Sequence, residues 1–196
     1  MDNNWFKMLK KENVNLITDK INYINQNSII TNNNSYNIDA IVTATGFNAG
    51  KMIWPIEVLG KNGTNLNDYW EDDNPRAHIG ITVPNFPNFF MMYGPNTNLA
   101  HGGSIVFQGE CQIRYILGCI NLLLEKNYNN MDCKTESYIK YNTKLDEQHA
   151  QMVWTHNKVD SWYRNKAGRV TTNSPWRLVD YWNFTKEPKE SDYIFT

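Results

Sequence analysis

The chain has 196 residues, 41% of them hydrophobic and 13% aromatic, with a formal net charge of -1. This composition suits a globular chain with one sizeable core, or one domain plus part of another, and excludes an intrinsically disordered one. A charge so near zero exerts no global pull on nucleic acid or anionic lipid, so neither is expected as a partner.

The longest apolar run, around Tyr115 to Leu124, falls short of the roughly 20 residues that a membrane span needs. Cys111, Cys119 and Cys133 form no CxxC pair, and the first two lie two helical turns apart, too far to bridge. A soluble, reduced, cytoplasmic setting is expected.

In chain order, Trp5 to Lys11 reads as the end of a short helix, and Val14 to Thr18 and Ile21 to Ile24 as β-rich pieces. Ser28 to Thr31 and Tyr36 to Thr43 flank the turn Asn32-Asn33-Asn34 and predict a hairpin. The run Ile38 to Phe47, IDAIVTATGF, reads as a buried strand running into a glycine. Asn48 to Asn74 is loop-rich, broken by Pro55, Gly60 and Gly63, with Trp54 and Trp70 as candidate anchors. Phe89 to Tyr93 is a second continuous apolar run ending at Gly94-Pro95, and two such strands suggest one sheet with both faces covered.

Asn96 to Gly103 then forms a polar, glycine-bearing loop leading to Ser104, a candidate N-cap for a helix reaching about Lys126. A further helix is expected from Glu136 to Thr155, with a sparse apolar stripe at Tyr138, Tyr141, Leu145 and Met152. The tail from Val159 to Trp182 reads as irregular. No GxG triplet occurs anywhere in the sequence.

The junction from Gly94 to Ser104 carries the most suggestive chemistry. A helix N-terminus presents unpaired N–H groups and about half a positive elementary charge, which attracts an anion or an electron-rich carbonyl. Gly102 and Gly103 would let a ligand approach the backbone closely. A tight strand-to-helix connection is the plain alternative. His101 could titrate near neutral pH, but a loop histidine held by local hydrogen bonds explains it better. His149 and His156 lack a completing cysteine or carboxylate, so no metal is expected. Glu110 reads as an i,i+4 ion-pair partner of Arg114. The aromatic and basic mixture from Lys158 to Arg177 superficially suits single-stranded nucleic acid, but reads better as a pocket-edge loop.

Three ordered segments resemble the flavin-containing and Baeyer–Villiger monooxygenases, in particular the 4-hydroxyacetophenone monooxygenase-like branch. They are DAIVTATGF, the stretch PRAHIGITVPNFPNFFMMYGPNTNLAHGGSIVFQGECQIRYI, and SWYRNKAGRVTTNSPWRLVDYW. The resemblance implies an α/β fold that is part of a flavoprotein with two dinucleotide-binding domains: the tail of the NADPH domain and a crossover strand in residues 1–43, and the C-terminal half of the FAD domain in 44–196. It implies FAD and NADPH as cofactors of the complete protein, and a small-molecule ketone or soft heteroatom that accepts one oxygen atom of O2.

Thr45 and Gly46 match the crossover between the two domains. Gly94, Pro95, Asn96, Thr97, Asn98 and Leu99 match the loop that passes the flavin ring. The family's glycine fingerprints have no counterpart here, and its essential arginine would lie upstream of Met1. Arg76, Arg114, Arg164, Arg169 and Arg177 do not match that arginine, so no catalytic residue is assigned. The competing expectation is a non-catalytic half-protein or interaction module that pairs with a separate N-terminal half.

Overall fold

The computed structural model describes residues 3–71, 73–100, 102–156 and 161–196. The chain divides into two compact units, Met1–Gly46 and Phe47–Thr196. The first holds a short helix α1 (Trp5–Met8) and an antiparallel three-stranded meander of β1 (Ile21–Ile24), β2 (Ser28–Thr31) and β3 (Ser35–Asn37). The Asn32–Asn34 hairpin forms as the turn residues predict, pairing Ile29 with Tyr36. Thr31 closes it, accepting from the Asn34 N–H and donating to the Asn34 carbonyl at 3.0 and 3.1 Å.

The run Ile38 to Phe47 does not form the expected buried strand, and this removes the crossover strand as an ordered ladder element. It has no ladder partner among the described residues, the Ala44 N–H turning back to the Val42 carbonyl, with Val42 and Phe47 90% and 97% exposed. Phe89 to Tyr93 also lies outside any strand. Its cross-chain tie is the Met91 N–H on the Ile81 carbonyl, 2.9 Å. A strand needs a neighbour that takes its N–H and C=O groups in succession, and the single bonds from Met91 to Ile81 and from Ile38 to Asn27 make no ladder.

The second unit is built around α3 (Ile105–Lys126), preceded by the short α2 (Leu66–Tyr69). Ser104 caps α3 by accepting from the Phe107 N–H at 3.4 Å. At the other end Asn127 adopts a left-handed conformation, and the Tyr128 N–H returns to the Leu123 carbonyl, a Schellman-type stop. The buried face of α3 carries Gln108, Cys111, Gln112, Tyr115 and Cys119 at helical spacing.

β4 (Met131–Cys133) leads into α4 (Thr135–His149), which ends before the predicted Thr155. The buried face of α4 mixes Tyr138 and Leu145 with the polar Asn142 and His149. The tail is less irregular than its composition suggests. It contains α5 (Leu178–Phe184), and β5 (Tyr193–Phe195) closes back antiparallel on β4.

The core gathers Leu66, Trp70, Ile81, Val83, Phe86, Tyr115, Tyr181 and Tyr193. Trp70 is the anchor it was expected to be, its indole N–H bonded to the Arg76 carbonyl at 2.9 Å, whereas Trp54 is exposed. Arg114 does not make the i,i+4 pair expected with Glu110. It donates to the Trp182 and Thr185 carbonyls at 2.9 and 3.3 Å and stacks over the Trp182 ring, so it ties α3 to α5. All three thiols are free and buried, and burial pushes Cys119 and Cys133 up to about 12. No helix among the described residues is long and apolar enough to cross a membrane.

Candidate functional site

The loop after Met91 is held by a second segment, residues 170–174. The Asn96 and Asn98 N–H groups donate to the Thr171 and Thr172 carbonyls, each at 3.0 Å, and the Ser174 N–H returns to the Asn98 carbonyl at 2.9 Å. Side chains extend this zipper. Asn96 Nδ2 donates to the carbonyls of Val170 and Asn173 at 2.8 and 3.3 Å, and Asn98 Nδ2 to Asn173 Oδ1 at 2.7 Å. The Tyr93 hydroxyl donates to Asn98 Oδ1, and the Tyr93 N–H to Gln112 Oε1 on α3. Nothing in the linear sequence signals this pairing, because its two strands are about 75 residues apart.

Arg169 locks the zipper from beneath. Its guanidinium donates to Asp146 Oδ1 at 2.9 Å, to the Pro75 carbonyl at 3.1 Å and to Asn96 Oδ1 at 3.2 Å, while Arg76 takes the other Asp146 oxygen at 2.8 Å. Burial pulls the Arg169 pKa below its ordinary value. His149 sits in the same layer with Nε2 3.0 Å from the Asn173 carbonyl. Desolvation lowers its pKa to about 4, so the ring is neutral at physiological pH.

Gly94, Pro95, Asn96 and Thr97 are therefore buried inside the unit, and Asn98 and Leu99 are half-buried. A Cβ on Gly94 would strike the Gly80 carbonyl, and one on Gly80, at φ +74°, would strike Thr97. These two glycines serve backbone-on-backbone packing within the chain.

The pair before α3 divides in role. At Gly103, φ +95°, a Cβ would stand 2.5 Å from Leu178 Cδ1, so the requirement for glycine there is already met by packing on α5. At Gly102 a Cβ would meet nothing within 4 Å. The open side of the junction is thus Leu99, Ala100 and Gly102, which with Trp176 and Leu178 line a cavity of about 330 Å³.

Thr45 and Gly46 are exposed and lie in the other unit. His101 and Lys158–Asp160 lie outside the described residues. Among the described residues no group of three His, Cys, Asp or Glu side chains could hold a metal ion.

No family model matches the chain. It is 41% identical over 194 residues to an uncharacterized monooxygenase of Sinorhizobium fredii, covering 98% of this chain and 29% of that protein. It is also 34% identical over 183 residues to a Baeyer–Villiger monooxygenase of Pseudomonas aeruginosa, covering 91% of this chain and 34% of that one. Both relatives are named monooxygenases, and the chain is homologous to part of each. It spans about a third of the length of the curated relatives it matches.

The fold agrees with the sequence. The structure of OTEMO in complex with FAD and NADP superposes with a TM-score of 0.81 at 20% identity, over 100% of this chain and 37% of that one. The fold is α/β, and it matches only part of the larger structure.

Proposed function

We propose that this chain is the C-terminal part of an FAD- and NADPH-dependent monooxygenase that inserts one oxygen atom of O2 into a ketone or adds it to a soft heteroatom. The observation that carries this reading is the locked loop 94–98, zippered to 170–174, which delivers the open residues Leu99, Ala100 and Gly102 to the N-terminus of α3. When bound, a flavin supplies the redox chemistry that activates oxygen. This chain's share of the site fits one edge of such a group, because Gly102 leaves space against the backbone and the first turn of α3 is exposed at Ile105 and Val106.

The roles of the chain's own residues follow. Asn96 and Thr97 hold the loop, with Arg169 beneath them, and present no side chain outward. Gly94 and Pro95 fix the turn that starts it. Asn98 and Leu99 border the cofactor side, and the positive end of the α3 dipole favours the electron-rich edge of a reduced ring. Thr45 and Gly46 orient the crossover.

Arg76 and Arg169 are committed to Asp146, Arg114 to α5, and Arg177 to Asp180. No arginine of this chain matches the family's essential one, so none is given a catalytic role.

The test joins this chain to the remaining two thirds of the Pseudomonas aeruginosa relative. The fusion is expected to retain FAD through desalting and to consume O2 with NADPH in the presence of an aryl ketone or a sulfide, whereas the 196-residue chain alone holds no stoichiometric flavin. A folded fusion without flavin, or a yellow isolated chain, would overturn the reading.

A further inference from the structure

The two faces of α3 reverse the order that a surface helix normally shows. Its buried face carries two glutamines, Gln108 and Gln112, with Cys111, Tyr115 and Cys119. Its outward face carries Val106, Ile113, Leu117, Ile120 and Leu124, between 39% and 73% exposed. A helix that is apolar on both sides belongs inside a larger body, and the more apolar side is here the uncovered one.

The outward residues follow one another at intervals of seven, four, three and four, the spacing of a single straight seam. Val106, Ile113 and Ile120 form one row, and Leu117 and Leu124 the other, over roughly 27 Å of helix. Glu110 stands in the leucine row. Arg114, one turn on, is taken by α5, so this carboxylate is left for a cation or an N–H group of whatever covers the seam. A groove of about 510 Å³ runs beside Ile113 and Leu117, walled on its far side by Lys186–Pro188. At its N-terminal end the seam passes through the exposed Ile105 to the open edge at Leu99, Ala100 and Gly102.

We propose that this seam is the docking surface for the two thirds of a longer polypeptide that the relatives carry and this chain does not. The chain covers 29%, 34% and 37% of those longer chains, so a body about twice its size accompanies the homologous segment in each. A second copy of this chain is the other occupant to consider, and area and charge decide against it. A seam roughly 27 Å long and 10 Å wide offers on the order of 300 Å², whereas a stable interface takes about 800 Å² from each partner. An antiparallel pair of α3 helices sets the Gly102 end of one copy against the Lys126 end of the other, so the open edge adds nothing to the contact. A parallel pair sets Glu110 against its own copy, and like charges repel. A larger body that takes the seam, the groove and the open edge together makes up the difference. It presents an apolar element as long as the seam, with one donor opposite Glu110. The inference rests on this chain being part of a longer protein and not on the oxygenation chemistry, so a covered seam in an inactive fusion would count against the activity alone.

The three native thiols are buried, so one introduced cysteine can be followed by maleimide labelling. Leu117→Cys and the control Ile139→Cys, an exposed position on α4, are compared in the 196-residue chain and in its fusion to the remaining two thirds of the Pseudomonas aeruginosa relative. In the chain alone both are expected to label fast, and the chain to sediment as a monomer. In the fusion Leu117→Cys should label at least about tenfold more slowly, with Ile139→Cys at its former rate. Ile113→Lys/Leu117→Lys should leave the urea midpoint of the isolated chain unchanged, since both side chains are exposed, and lower that of the fusion, where each charge would be buried. A Leu117→Cys thiol as reactive in the fusion as in the chain alone would overturn the proposal. So would equal slowing at Ile139, a fusion midpoint unmoved by the two lysines, or a dimer of the isolated chain that the two lysines dissociate.

Discussion

The side chains of Asn96 and His149 meet at one backbone oxygen, the Asn173 carbonyl, from which they stand 3.3 and 3.0 Å. With His149 donating through Nε2–H, its 3.4 Å approach to Asn96 Nδ2 is packing between two donors that share an acceptor. This point joins three distant parts of the chain: the loop after Gly94, the end of α4 and the segment 170–174. The loop's shape is therefore set by residues that no local pattern connects.

Asn96→Asp tests that junction with almost no change in volume. The carboxylate keeps an acceptor for Arg169 but cannot donate to Val170 and Asn173, and it places a negative charge against two carbonyl oxygens. A loss of about 2 to 4 kcal/mol in urea unfolding is expected, with faster amide exchange across 170–174. A variant within 0.5 kcal/mol of the parent chain would show that the bonds do not hold the loop.

His149 makes stability depend on pH. Its folded pKa of about 4 lies below the unfolded value of 6.5, so between these limits the unfolded chain binds more protons. The contribution is complete above pH 6.5 and is lost as pH falls toward 4, by roughly 3 kcal/mol in total. His149→Gln, whose amide can still donate to Asn173, should flatten this slope. Denaturant midpoints at pH 7.5 and 4.5 that fall equally in both proteins would assign the acid lability to other groups.

Gly103 and Leu178 should behave as a coupled pair. Gly103→Ala is expected to cost about 1 to 2 kcal/mol, from its positive φ and from the clash with Leu178 Cδ1. In a Leu178→Ala background the clash disappears and only the φ term remains. A double-mutant cycle should thus give a coupling of about 0.5 to 1.5 kcal/mol, and additive effects would mean that the glycine serves backbone conformation alone.

Local chemistry was legible where it was sufficient. Ser104 announced the start of α3, the three asparagines announced the β2–β3 turn, and Trp70 announced a core anchor. The register of α4 was half legible: Tyr138 and Leu145 gave its face away, but Asn142 and His149 share that face because carbonyls elsewhere receive their N–H groups. Arg114 was misassigned for the same reason. Its nearest acid in sequence was one turn away, while α5 offered two carbonyls and the Trp182 ring.

The sequence by itself determined the capped helix, the hairpin and, through three ordered segments, the kinship with flavin monooxygenases, because caps, turns and family motifs are written in contiguous residues. Only the tertiary structure decided that Ile38–Phe47 and Phe89–Tyr93 stand outside any ladder here, that Asn96 and Thr97 face inward, and that Leu99, Ala100 and Gly102 form the open edge. An apolar run states that it would be buried, but not what will bury it. A buried polar group is satisfied by whichever partner folding brings near, and that partner is about 75 residues away for Asn96 and Asn98.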